Sequence, residues 1–186
     1  SWIATHLWSE YEYTQDVNFL REKAYPILKS NAEFLLDFMV KHPETGHLVA
    51  GPSTSPENSF IYKGDHLSIS MGTTADGQLA YEIFTSCIKS SEILGIDFDF
   101  REELEQARDI LSPMQIGKNG GIQEWYEDFD EAQPNHRHTT HLLGLYPFNQ
   151  ISLINTPDLA KAARKTIGLR LAAEGWEDVE WSRANM

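Results

Sequence analysis

The chain has 186 residues, 41% hydrophobic and 23% charged, the composition of a globular protein with room for one sizeable core. Its 15 basic and 28 acidic residues leave a formal charge of −13, which repels phosphate backbones and anionic lipid and argues against nucleic acid or a membrane surface as partner. Cys87 is the single cysteine, which excludes intrachain disulfides and zinc sites built on two or more thiolates, and no apolar run reaches membrane-spanning length.

Helical periodicity dominates the chain. Residues 2–13 place Ile3, Leu7, Trp8 and Tyr11 on one face. Asp16 stands as N-cap of a second helix, carried by Leu20, Ala24, Ile27, Leu28, Leu35, Phe38 and Met39 to about Val40, with a kink or restart expected at Pro26. HPETGH ends it. A third helix is expected over about 71–94, stopped by Gly95. Leu79, Ile83 and Cys87 line one of its faces and Tyr81, Phe84 and Ile88 another, so it is expected to be covered on two sides. Asp97 is expected to cap a shorter helix that turns Phe100, Leu104, Ala107 and Leu111 inward. Thr156-Pro157 has the form of an N-cap followed by N1, and Leu159, Ala162, Ala163, Ile167 and Leu171 continue that helix's apolar face. A last helix is expected from about Val179. Strand signals are confined to Leu48-Val49 and residues 122–125. Two long loops, 40–71 and 111–139, carry too many aromatics and prolines for disorder, so the fold class reads as all-α with functional loops. The opening SWIATHLWSEYEY reads as the middle of a helix, so residues 1–186 are expected to be one segment of a longer chain.

Candidate chemistry concentrates in the loops. In GPSTSPENSF, Pro52 and Pro56 fix φ and push Gly51 and Ser55 away from helix, so Glu57 is held in a stiff segment. A bland alternative is a Ser-Pro-Glu helix start, with Ser55 as N-cap and Pro56 at N1. Farther on, GGIQEWYEDFDEAQPNHRHTTHLLGLYPF sets five acids ahead of three histidines and an arginine. His136, His138 and His141 have no recognised zinc spacing, which favours polar recognition over a metal, and no pattern requires a cofactor. The structural alternative pairs Arg137 with the acids and leaves the histidines to cap loops. Trp125, beside acids in a glycine-led loop, is the tryptophan expected in a cleft. There is no phosphate loop, nucleophile elbow or Cys-His arrangement. One acid in a fixed loop, with polar donors on another, points to general-acid chemistry on a glycoside.

STSPENSF, followed some seventy residues later by IQEWYEDFDE and HRHTTHLLGLYP, resembles the catalytic domain of glycoside hydrolase family 95. HLWSEYEYTQDVNFLREKAYPILKSNAEFLLDF is similar to the family's helix pair before the Ser-Pro-Glu-Asn loop, and NTPDLAKAARKTIGLRL to its helix after the His-Arg-His segment. The resemblance covers about 2–184 and implies a partial (α/α)6 barrel, of the six-hairpin glycosidase type, from an inverting α-L-fucosidase, some members acting on α-L-galactosides. It implies Glu57 as general acid, with Asn58, Glu124, Trp125, His136 and His141 around the sugar and Arg137 and His138 one layer behind. It further implies a fucosylated glycan as substrate and a secreted or periplasmic setting. Departures exist: Gly51 stands where a cysteine is common, Thr140 replaces a usual serine, and Glu180-Trp181-Ser182 replaces Gly-Trp-Ser. The family's asparagine-bearing and aspartate-bearing motifs, which activate the water, are absent from these 186 residues. The isolated chain is therefore expected to be inactive and to self-associate through uncovered apolar faces. The alternative is a non-catalytic carbohydrate-binding or helical interaction domain.

Overall fold

The computed structural model describes residues 1–176, so the helix expected from Val179 lies outside the described residues. The described chain is helix-rich with a few small sheets, which corrects the all-α expectation in detail. It divides into two compact units: Ser1–Ala50 with Leu79–Ser112, and Gly51–Gln78 with the described residues from Pro113 onward.

In the first unit, α1 spans Trp2–Thr14 and ends at Gln15 in the left-handed conformation. Asp16 then caps as expected, its Oδ1 accepting from the Asn18 and Phe19 amides at 2.9 and 3.0 Å. The short α2, Val17–Phe19, runs into a π-helical stretch, Leu20–Ala24, before α3, Tyr25–Phe38. Pro26 has no amide hydrogen, so the restart expected there is realised as this widened turn. Strands β1 (Val40–Lys41) and β2 (Leu48–Val49) form a small antiparallel hairpin. Helix α4, Thr74–Leu94, enters this unit from Leu79 and stops at Gly95, whose φ is +66°. Helix α5 is Phe98–Asp109. The core joins Leu20, Leu28, Ile83, Phe84, Cys87 and Leu104.

Two expectations fail here. Ile3 is 84% exposed rather than packed, and Asp97 makes no side-chain cap. The Asp97 carboxylate instead accepts from Tyr25 Oη at 2.8 Å and Lys29 Nζ at 2.7 Å, a charged partner outbidding a neutral amide.

The second unit holds the loop 51–59, the hairpin of β3 (Phe60–Tyr62) and β4 (Asp65–Leu67), and β5 (Asp130–Glu131). Lys63 and Gly64 both have positive φ, the two-residue turn that suits strand twist. Strand β5 pairs with β3, Phe60 opposite Glu131, which brings the end of the acidic run beside the Glu57 loop. A 3-10 turn, Thr140–Leu142, follows the histidines, and α6 spans Pro157–Ala172. Residues 122–125 form only an isolated bridge, Ile116 with Ile122. The apolar core joins Ile122, Leu142, Ile151, Ala162 and Ala163. Leu171, expected inward, is 52% exposed, and the buried face of α6 runs through Ala163, Thr166 and Arg170. No helix among the described residues is long and apolar enough to cross a membrane.

Candidate active site

The helix-cap alternative for the Glu57 loop does not hold, because a strand and not a helix follows. Ser53 and Ser70 exchange backbone hydrogen bonds of 2.9 Å at one end of the loop, and β3 begins at the other. A Cβ at Gly51 would meet the Met71 Sδ and Cε atoms, the end of a flexible side chain, so a larger residue there requires the methionine to shift.

Within the loop, side chains alternate between burial and solvent. Ser55 and Asn58 are fully buried, whereas the Glu57 side chain is 60% exposed. One buried carboxylate holds both flanks. Glu124 Oε1 accepts from Ser55 Oγ at 2.7 Å, and its Oε2 accepts from Asn58 Nδ2 at 3.2 Å. Ser55 Oγ also lies 3.0 Å from Thr140 Oγ1. The second proton of Asn58 Nδ2 reaches Glu131 Oε2 at 3.0 Å, and its Oδ1 accepts from the Ser59 amide.

Arg170 closes the network. Its Nη1 donates to Glu131 Oε2 at 2.7 Å and to the carbonyls of Pro134 and Gln133 at 2.8 and 3.1 Å, while Nη2 lies 3.8 Å from Glu124 Oε2. A basic residue on a helix reads as solvated, so nothing in the local pattern marks this one as buried. Burial raises the Glu124 pKa, and hydrogen bonds from Ser55 and Asn58 and the Arg170 charge oppose the shift.

The backbone of Glu124 is fixed by α4. Its carbonyl accepts from the Thr74 amide at 3.0 Å, and Thr74 Oγ1 donates to the neighbouring Gln123 carbonyl at 2.6 Å. Trp125 is buried against Phe60, with ring centroids 5.3 Å apart.

The histidines differ in their surroundings. His136 Nδ1 accepts from the His138 amide at 3.0 Å, and burial pushes the His136 pKa down to about 4. Burial lowers His138 as well, against a hydrogen bond with the Pro56 backbone. His141 is pushed down to about 3 by burial, so it is neutral at ordinary pH. Its Nδ1 is 3.5 Å from Glu124 Oε2 without making a hydrogen bond, and this contact is not an ion pair. Gln78 Nε2 donates to the His141 carbonyl at 2.9 Å and fixes the 3-10 turn. Arg137, expected one layer behind, pairs directly with Glu57. Among the described residues, no three His, Cys, Asp or Glu side chains converge as a metal site.

The same unit contains a cavity of about 520 Å³, with Lys118, Glu124, Trp125, Glu131, His141 and Arg170 in its wall. Three of the lining residues carry a buried nitrogen without a hydrogen-bond partner: Trp125 Nε1, His141 Nδ1 and Arg170 Nη2. Thus Glu124, Trp125 and His141 share the cavity, Ser55 and Asn58 meet Glu124, and Glu57 with Arg137 stands at the exposed end of the loop.

The model of the glycosyl hydrolase family 95 catalytic domain matches residues 1–186. The chain is 39% identical over 191 residues to a protein named alpha-L-fucosidase 2 from Arabidopsis thaliana, covering 98% of this chain and 22% of that protein. It is 33% identical over 195 residues to a probable alpha-fucosidase A from Aspergillus niger, covering 99% and 24%. A probable alpha-fucosidase A from Aspergillus oryzae is 29% identical over 161 residues, covering 76% and 21%. The chain therefore spans roughly a fifth to a quarter of the length of these curated relatives.

Proposed function

The chain belongs to the glycosyl hydrolase family 95 catalytic domain family, and from that premise we propose that it is a segment of an α-L-fucosidase-type glycoside hydrolase with Glu57 as general acid. The observation that carries this reading is the presentation of Glu57. Its side chain reaches solvent from a loop whose neighbours Ser55 and Asn58 are fully buried. A proton donor to a glycosidic oxygen needs that combination: access for the leaving group and a backbone that does not drift. To act, Glu57 takes up a proton from solvent, leaves its ion pair with Arg137, and donates that proton to the oxygen that links fucose to the rest of the glycan.

Trp125 and His141 are proposed sugar contacts because both line the cavity and each carries a buried nitrogen without a hydrogen-bond partner. The polar atoms of Asn58 are already engaged by the protein, and His136 Nδ1 is taken by His138, which supports these two in holding the loop. The reaction is proposed to invert, with water activated from the far side of the sugar by groups of the longer catalytic domain. That domain is proposed to complete an (α/α)6 barrel, covering apolar side chains such as Leu153 and Ile154, which are more than four-fifths exposed. The isolated segment is proposed to be inactive.

The test is fucose release from an α-1,2-fucosylated oligosaccharide by the full-length enzyme and its Glu57→Gln variant. A loss of roughly 100-fold or more is expected with this poor leaving group; full retention contradicts the acid assignment. A second reading, carbohydrate binding without turnover, is favoured by the unpaired nitrogens of the cavity-lining residues. Calorimetric binding of fucose to the 186-residue chain would support it if Glu57→Gln leaves turnover intact.

A further inference from the structure

We infer that Glu124 is a positioning residue, whose buried carboxylate brackets Glu57 and sets the direction in which that acid presents its proton. The inference rests on the reading of Glu57 as general acid, and it gives Glu124 a role other than contact with the sugar.

Three observations carry it. Glu124 holds the residue two before Glu57 through one oxygen and the residue directly after it through the other, at 2.7 and 3.2 Å. A single rigid group thus spans the segment 55–58, which has no helix or strand of its own. Two fixed points three positions apart leave the intervening Pro56 and Glu57 few backbone choices, since Pro56 has its own φ locked. Next, Glu124 is itself immobilised. Its carbonyl is held by the Thr74 amide at the start of α4, and its neighbour Trp125 is packed under Phe60.

Finally, both Glu124 oxygens are occupied. Although Glu124 lines the cavity, a sugar hydroxyl binding there would have to compete with Ser55 or Asn58. The Asn58 amide is shared with Glu131, and Arg170 holds Glu131 in turn, so the bracket is continued into α6. Removing a fully buried carboxylate's contacts would free the loop while leaving the Glu57 side chain chemically unchanged. The expected defect is therefore in proton delivery and not in sugar affinity.

The experiment compares Glu57→Gln, Glu124→Gln and Ser55→Ala in the full-length enzyme. Each is assayed on two α-L-fucosides, one with a leaving group that needs protonation and one, such as the fluoride, that needs little help. Hydrogen exchange of the amides in 53–59 is followed in parallel. Ser55→Ala removes one arm of the bracket without touching the buried charge, and covers the case in which Glu124→Gln does not fold.

Glu124→Gln and Ser55→Ala are expected to lower kcat on the poor leaving group by roughly 10- to 100-fold with KM unchanged. The activated substrate should be turned over nearly normally, and the loop amides should exchange faster while those of α6 do not. A raised KM, or an equal loss on both substrates, overturns the inference in favour of sugar contact or general destabilisation. Unchanged loop exchange in both variants also overturns it. Failure of the acid reading looks different: Glu57→Gln itself would then show no leaving-group dependence, whatever the loop exchange shows.

Discussion

Replacing Arg170 by alanine tests whether the second unit is held by its buried ionic network. Arg170 is 2% exposed, and its Nη1 donates to one carboxylate and two main-chain carbonyls. Loss of a charge-assisted bond costs about 1.5–3 kcal/mol and each carbonyl bond about 1 kcal/mol. Glu131 is 24% exposed and regains some water, which places it toward the lower part of that range. Glu124, fully buried, loses the nearest cation and has no such relief. The sum is on the order of 3–5 kcal/mol, the usual effect of removing one partner from a buried pair. Against a typical domain stability of about 5–15 kcal/mol, that change is large.

Urea unfolding followed by tryptophan fluorescence measures the effect, and hydrogen exchange locates it. Amides in 57–62 and 130–134 should lose protection, while those of α3 keep theirs. Arg170→Met, which preserves volume, should lose nearly as much as Arg170→Ala, because the network and not the bulk is at stake. Arg164, exposed on the same helix, is the control and should change stability by less than about 0.5 kcal/mol on replacement by alanine. A loss below about 1 kcal/mol for Arg170→Ala would refute the reasoning and make the network ornamental.

Glu124 yields a prediction about pH. Burial raises its folded pKa above the unfolded carboxylate value of about 4.3, so the native state binds the proton more tightly than the unfolded chain. Its favourable contribution is complete below that unfolded value and is lost as pH rises through the folded one. Glu124→Gln, which cannot ionise, should therefore gain in Tm relative to the parent from acid toward neutral pH, and a gap that is flat or reversed would contradict this. Cys87, in the core of the first unit, has its thiol pushed up to about 12 by burial. Native protein at pH 8 should not react with an aromatic disulfide reagent on the timescale of unfolded protein, and rapid labelling without unfolding would show that this core is open.

The helices were legible because apolar residues recur at 3.6-residue spacing whatever surrounds them. Asp16 and Gly95 mark ends that the structure keeps, since caps are satisfied within a few residues of chain. The β3–β4 hairpin is legible too: Lys63-Gly64 between FIY and DHL is a two-residue turn signal. Strand β5 was not, because Asp130 and Glu131 have no strand preference and pair only because β3 offers an edge.

Sequence by itself determined the family and the likeness of the Ser-Pro-Glu-Asn loop, because these are properties of residue order. It also determined that Glu57 is the only carboxylate in that loop. Only the tertiary structure decided where charges go. Asp97, a cap by position, turned to Lys29 and Tyr25; Arg170, solvated by its helix pattern, became the buried centre of a network. Glu124, one acid among five, became the group that holds the Glu57 loop. The physical reason is range: caps and periodicity are satisfied by near neighbours, whereas a buried charge is satisfied by partners tens of residues away, and no local pattern announces them.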